Sequence, residues 1–395
     1  MFKEKPVVLA FNKFYLPGYK AGGPIRSLVN MVDHLGDKFD FYILTLDHDA
    51  GDRNSYQSIQ HGKWHHVGKS KVMYLSPEDV SINKLVKIIS YLNPAAIYLN
   101  SYFDSSFTLR VLLSRRLNRF NSIPIILAPR GEFSAGALGI KSFKKRAYIR
   151  MSSVLGLYRN LIWQASSSLE KEDILRSLKF VRYDQVKVAV NLTPIAPFSN
   201  FEPKAREVNS PLKVCFLSRI TPKKNLDFAL DVLRQVSSKV TFTIYGPKES
   251  TLYWVRCESL IEDLPDNITV VYAGEVLPNN VNANLAQHDL FFFPTRGENY
   301  GHVIHEALLS GLPVLISDQT PWDDLEAYGI GWSYSLQYSS FFSKKIDDFA
   351  NMLSEETLNM RKRAMAFAIN KSSDSQAVRD NIDLFEHAVS LMRPS

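Results

Sequence analysis

Two acids eight residues apart, Glu298 and Glu306, enclose the segment Asn299–Tyr300–Gly301–His302–Val303. A carboxylate can accept two hydrogen bonds from a vicinal diol, such as the 2- and 3-hydroxyls of a ribose. Glu306 falls about one turn into a helical pattern that starts near His302, where a carboxylate favours the helix N-terminus. Glu298, ahead of that helix, is placed to reach the other end of the same ligand. Gly297 and Gly301 bracket the loop, and the first helical amides are donors suited to a phosphate or a sugar hydroxyl. Either acid alone reads as a surface charge or an ordinary first-turn acid. The pair, set in a strand–glycine loop–helix–Gly–Pro–strand unit, reads as a binding site.

Two further loops carry compatible chemistry. In SRITPKKN (218–225), Arg219 directly follows an apolar run, and Lys223 and Lys224 come shortly after. Two cations meeting at one strand end would neutralise a diphosphate leaving group. Arg219 is the stronger candidate, because its place next to the strand aims it at a ligand. In YLPGYKAGGPIR (15–26), Gly22 and Gly23 permit positive φ and Pro24 suits a first helical position. The amides that follow would form an anion site at a helix start, although a plain turn fits this loop equally well.

The elements that must hold these loops alternate along the chain. VVLAF (7–11), FYILTLD (41–47), AAIYLN (95–100) and IPIILAP (123–129) read as buried strands, and IRSLVNMVDHLG (25–36) as a helix. Four prolines between 194 and 211 break the periodicity and mark a linker. The theme then restarts with VCFLS (214–218), a helix over 226–236, TFTIYG (241–246), LFFFP (290–294), HVIHEALLS and PVLIS (313–317). The spacing predicts an amphipathic helix near the C-terminus with Val378, Ile382, Phe385 and Val389 on one face. The expected architecture is two doubly wound, Rossmann-like α/β domains facing across a cleft, with ligands at the carboxyl ends of strands.

Composition narrows the function. The 395 residues are 45% hydrophobic and 22% charged, with a net charge of +7, as in soluble two-domain proteins. No run approaches a membrane span, the first apolar run is too short for a signal peptide, and two cysteines suit a reducing compartment. These features predict a cytoplasmic protein. No nucleic-acid-binding signature accompanies the basic charge. Asp47 and Asp49 in LDHD are an unfavoured metal pair, and His61, His65 and His66 lack completing ligands and suit a surface hairpin. His302 and His305 near the helix start could poise a proton; His302 is expected to act through its backbone, and packing is an equal reading for His305. The stretch 139–160 interleaves Lys141, Lys144, Lys145, Arg146 and Arg150 with Ile140, Phe143, Ala147 and Leu155. That pattern fits an anionic membrane surface or a solvated helix face.

ENYGHVIHEALLSGLPVLISD resembles the E-x7-E segment of retaining, nucleotide-sugar-dependent glycosyltransferases of family 4, of bacterial polysaccharide-biosynthesis type with the GT-B fold. FLSRITPKKNLDFAL looks like that family's diphosphate loop, GGPIRSLVNMVDHL like its N-terminal glycine loop, and APRGEFSAGAL (128–138) like its segment entering the cleft. The resemblance implies an N-terminal domain over 1–200, a nucleotide-sugar domain over 211–373 and a helix over 374–395 crossing back. It implies a donor-ribose contact at Glu306 and a donor-sugar contact at Glu298. Asn299, Tyr300, Gly301, His302 and Val303 would bind substrate, largely through backbone amides. Arg219 and Lys224 would hold the diphosphate, with Lys224 preferred to Lys223 on this ground alone, and Gly22 and Gly23 would close on it. Where many relatives carry a histidine, this chain has Arg130, a donor or acceptor contact that leaves the general base unassigned. In such enzymes the leaving phosphate takes the acceptor proton during front-face attack. The implied reaction moves a sugar from a UDP- or GDP-sugar, without metal, to a hydroxyl of a glycan or lipid-linked acceptor in envelope, capsule, O-antigen or exopolysaccharide synthesis. Membrane proximity through 139–160 follows from lipid-linked acceptors. A nucleotide-sugar epimerase and a non-catalytic partner subunit are the alternatives.

Overall fold

The computed structural model describes residues 4–120, 123–139, 142–195, 202–207 and 210–392. The chain divides into two compact units, Met1–Ile195 with Asp374–Ser395, and Ala196–Ser373. Parts of the expected linker, as well as Ile140 and Lys141, lie outside the described residues.

The first unit is built on eight strands: β1 (Val7–Phe11), β2 (Asp40–Leu46), β3 (Trp64–Val67), β4 (Ser70–Leu75), β5 (Ala96–Asn100), β6 (Ile125–Ala128), β7 (Ile162–Ala165) and β8 (Val186–Val188). Their order across the sheet is β3-β4-β2-β1-β5-β6-β7-β8. Every pairing is parallel except the β3–β4 hairpin, which carries His65 and His66 on its outer strand. The central strands are apolar throughout because helices cover both faces; β5 is buried at all five positions. The chain leaves β1 toward one edge and returns to start β5, so the strand order reverses between β1 and β5.

The second unit has β9 (Leu212–Leu217), β10 (Val240–Tyr245), β11 (Ile268–Gly274), β12 (Leu290–Phe293), β13 (Val314–Ser317) and β14 (Gly331–Tyr334) in the order β11-β10-β9-β12-β13-β14, all parallel. Here the order reverses between β9 and β12. In open α/β sheets ligands bind outside the carboxyl ends of strands at such a reversal. The loops 218–225 and 294–301 leave β9 and β12 at that point.

The C-terminal helix Ser375–Ser390 belongs to the first unit, as expected. The expected stripe packs inward: Phe385 is buried and Val378, Ile382 and Val389 pack half-buried against the same core, with Leu384 and Ala388 buried beside them. Asn381 also faces inward. Its amide donates to the Val190 carbonyl at 2.9 Å and its oxygen accepts from Gln164 at 3.2 Å. Phe385 lies 5.5–5.8 Å from the rings of Phe39, Phe41 and Tyr98. Burying a side chain of that size contributes about 1.5–3 kcal/mol.

Candidate active site

In the second unit, the loops after β9 and β12 are joined to each other before any ligand arrives. Arg296 donates its amide to the Lys223 carbonyl at 2.9 Å, and Asn225 donates to the Pro294 carbonyl at 2.8 Å. The Arg296 guanidinium returns a bond to Asn225 Oδ1 at 2.8 Å. These links use the Lys223 backbone and turn the next side chain, Lys224, toward the β12 loop. Lys224 Nζ hydrogen-bonds to Glu298 Oε1 in a close ion pair with both groups largely buried, their side chains 15% and 13% exposed. Thr295 Oγ1 lies 3.3 Å from the same carboxylate oxygen, and the Phe293 ring sits 5.4 Å from the ammonium. Of the two lysines, it is Lys224 that meets Glu298 through its side chain, while Lys223 accepts the Arg296 amide through its backbone.

Arg219 lies at the end of β9 but stands partly in solvent, 3.1 Å from Glu249 on the loop after β10. That contact needs the β9 and β10 ends close together. A Cβ on Gly246, at φ 129°, would come within 1.9 Å of the Ser218 carbonyl oxygen.

The helix His302–Leu309 begins after Gly301, whose φ is 78°. A Cβ there would approach the Ile304 Cδ1 methyl to 2.8 Å. The helix has no side-chain N-cap, and the Val303 amide has no partner among the described residues. Backbone donors at the positive end of a helix are suited to an anion. The start is braced from below by Trp322, whose indole donates to the Tyr300 carbonyl at 2.5 Å. Glu306 is the fifth helical residue and 6% exposed. It lies just past the first turn, where the helix end interacts weakly with a charge. His305 is packing: burial holds its pKa down to about 4, and its Nε2 lies 3.2 Å from the Ala368 carbonyl and 3.1 Å from Ser372 Oγ.

In the first unit, the loop after β1 and the loop after β6 carry the remaining candidates. Gly22 caps the helix Gly23–Leu35 at φ 68°, with open space where a Cβ would stand. The carboxylate of Asp49 accepts the Tyr19 and Lys20 amides at 2.7 and 3.0 Å and so shapes this loop. Asp47 takes Ser55 Oγ at 3.0 Å, with His48 and His61 ring nitrogens at 2.9 and 3.0 Å. Both acids therefore have structural work, and no group of three or more metal-ligating side chains occurs among the described residues.

Arg130 has φ 58° and points its guanidinium inward. It donates to Asn100 Oδ1 at 3.0 Å, to Tyr98 Oη at 2.5 Å and to Asn191 Oδ1. Three of its five donors are thus committed within the domain. Two acids that sequence reasoning missed hold the surrounding turn. Glu170 accepts the amides of Gly131 and Ser166 at 2.5 and 2.7 Å. Glu132 accepts Ser101 Oγ and the Tyr102 amide, both at 2.5 Å. Burial pushes the Glu132 carboxyl up to about 7, against the pull of those hydrogen bonds and of Lys145. Buried Asn100 keeps one amide nitrogen without a partner beside Arg130. The sequence gives little signal for these residues, because Glu132 meets Ser101 and Tyr102, and Glu170 meets Gly131, across thirty or more positions.

Residues 211–327 match the family described as glycosyl transferases, group 1. Within the second unit, that segment is similar to a group 1 glycosyltransferase domain. The match spans β9 to the loop beyond β13 and includes Arg219, Lys224, Glu298 and Glu306. An uncharacterised 41.2 kDa protein of the Klebsiella pneumoniae cps region is 23% identical over 312 residues, covering 76% of this chain and 81% of its own. Among solved structures, Anabaena HepE in complex with UDP and glucose superposes with a TM-score of 0.69 at 16% identity, over 98% of this chain and 100% of its own. A Rickettsia africae glycosyltransferase superposes at 0.66 with 15% identity, over 98% and 99%. Together with the two parallel sheets, these matches show the GT-B fold.

Proposed function

We propose that this protein transfers a sugar, with retention of configuration, from a UDP- or GDP-sugar to a hydroxyl of a glycan or lipid-linked acceptor in bacterial surface polysaccharide synthesis. The observation that carries the reading is the Lys224–Glu298 pair at the strand-order reversal, flanked by the open start of the helix His302–Leu309 and by buried Glu306. The K. pneumoniae relative's cps region supports the polysaccharide setting, and HepE, solved with UDP-glucose, supports the donor class.

In this reading Lys224 and Arg219 take the diphosphate, the amides of Tyr300 to Val303 take phosphate and sugar, and Glu306 takes the ribose diol. Asn299 contributes to the same donor contact. Glu298 contacts the sugar hydroxyls. Gly22 and Gly23 contact the donor through backbone, and Arg130 orients donor or acceptor with the donors its inward bonds leave over. Charge builds on the departing diphosphate as the glycosidic bond breaks, and fixed cations lower that barrier without reorganising. The leaving phosphate then accepts the acceptor's proton, so no side-chain base is required. No metal enters the scheme. The protein is placed at the cytoplasmic face of the membrane, touching anionic lipid through 139–160; among the described residues no helix is long and apolar enough to cross a membrane.

A thermal-shift comparison of UDP- and GDP-sugars tests the donor assignment, since a ligand bound only by the native state raises its stability by mass action. A shift reduced by Glu306→Ala is expected. No shift with any nucleotide sugar would remove the assignment.

A further inference from the structure

The ends of β5 and β6 in the first unit hold hydrogen-bond donors that no protein acceptor satisfies. Asn100, the last residue of β5, is 4% exposed, and its Nδ2 has no hydrogen-bond partner. Its Oδ1 accepts from Arg130 Nε at 3.0 Å. A guanidinium only donates, so the amide atom facing it is the oxygen and the unpaired atom is the N–H₂. A buried donor left unpaired costs about 1–3 kcal/mol. Arg130 itself is half-buried, and its partners are all neutral: Asn100 Oδ1, Tyr98 Oη and Asn191 Oδ1. It forms no ion pair with a carboxylate among the described residues. One N–H on each of its terminal nitrogens remains.

Donors without a lone pair among them call for a ligand group that only accepts. Phosphate sites draw heavily on backbone amides, and here those amides are already taken. Glu132 accepts the Tyr102 and Phe103 amides at 2.5 and 3.4 Å. Asp104 accepts those of Ser106 and Phe107 at 3.1 and 2.8 Å, and Glu170 that of Gly131 at 2.5 Å. What is left is one positive charge with a short row of side-chain N–H groups. That inventory matches the single charge and two oxygens of a carboxylate. A hydroxyl would fill the hydrogen bonds but leave the half-buried guanidinium without a counter-charge.

We propose that Asn100 Nδ2 and the two remaining Arg130 N–H groups bind the carboxylate of an acidic sugar, a hexuronate carried by the donor or by the acceptor. The inference rests on the sugar-transfer reading above and names its substrate class. It gives Asn100 two tasks: its oxygen holds Arg130 in place, and its nitrogen meets the ligand.

The probes are the methyl glycosides of glucuronate and galacturonate, set against those of glucose and galactose and titrated into the full chain by ligand-observed NMR. At least one uronide should bind about tenfold to a hundredfold tighter than its neutral counterpart, the worth of one charge-assisted pair. Asn100→Asp keeps the oxygen that accepts from Arg130 and puts a second oxygen where the free N–H₂ stands. It supplies the counter-charge internally, so the chain should fold and the preference should vanish. Arg130→Gln should abolish the preference as well. Equal binding of uronides and neutral glycosides overturns the site, as does a preference that survives both substitutions. So does binding of glucose 6-phosphate while the uronides are ignored, which marks a phosphate site. UDP-glucuronate preferred to UDP-glucose, or UDP-galacturonate to UDP-galactose, assigns the carboxylate to the donor. A uronide that binds together with UDP assigns it to the acceptor. UDP binding without any uronide preference removes this proposal alone, and uronide preference without UDP binding removes the donor assignment alone.

Discussion

Glu298→Gln should tighten nucleotide binding while slowing transfer. In the free protein Glu298 neutralises Lys224, and both groups are largely withdrawn from water. A diphosphate that reaches Lys224 therefore meets a carboxylate on the far side of the ammonium. At about 5–6 Å separation and an effective dielectric near ~20, each unit of phosphate charge is repelled by about 3 kcal/mol. Residual exposure and rearrangement reduce this by a factor of about two, leaving about 1.5 kcal/mol, or roughly tenfold in Kd. Glutamine keeps the shape and removes the charge. Isothermal titration with whichever of UDP or GDP binds better should show about a tenfold gain for Glu298→Gln and at least a tenfold loss for Lys224→Gln, the loss of a charge-assisted bond. Added salt should shrink both differences. An unchanged or weakened Kd for Glu298→Gln, with Lys224→Gln neutral, would show that the diphosphate lies elsewhere. A wild-type transfer rate in Glu298→Gln would separately remove Glu298 from the sugar.

Other outcomes follow from the same geometry. Glu306→Ala should weaken the nucleoside diphosphate about tenfold to a hundredfold yet leave inorganic pyrophosphate unaffected in the same titration, because it removes only the ribose contact. Gly301→Ala puts a side chain at φ 78° and 2.8 Å from Ile304 Cδ1, and should cost about 1–3 kcal/mol in urea unfolding. Glu132 has a folded pKa of about 7 against an ordinary 4.5, so its protonated form stabilises the fold. That contribution is full below 4.5 and is lost as pH rises through 7; urea midpoints should fall across this window in the wild type and stay flatter in Glu132→Gln. Transfer should survive EDTA, and a loss restored by Mn²⁺ would overturn the metal-free scheme.

The sequence makes the repeating units visible because parallel strands buried on both faces must be apolar end to end, and glycine and proline punctuate them. VVLAF and LFFFP both fall on strands to within a residue. Strands that break this rule escape notice: β11 is exposed at most positions, and β8 is three residues long. The loops that carry Glu298 and Lys224 are legible by type, but their meeting is not. It depends on β9 and β12 lying side by side, which the order of a doubly wound sheet decides and local pattern does not. The same gap hid Glu132 and Glu170, which look like surface acids until the ends of β5, β6 and β7 converge on them. It also hid the inward Asn381 of the C-terminal helix, which is intelligible only once Gln164 and the Val190 carbonyl are in place.

That helix has a consequence for how the protein is made. Asn381 bonds Gln164, Gln164 accepts from Tyr98, and Tyr98 accepts from Arg130, so a buried relay runs from the helix Ser375–Ser390 to the β6 loop. A ribosome that has completed both sheets has still not supplied Phe385 to the aromatic cluster of the first. The N-terminal sheet is therefore completed only after the second sheet has been made, and a nascent chain stopped short of Asp374 holds an N-terminal domain that lacks Phe385 in its core and Asn381 beside Gln164.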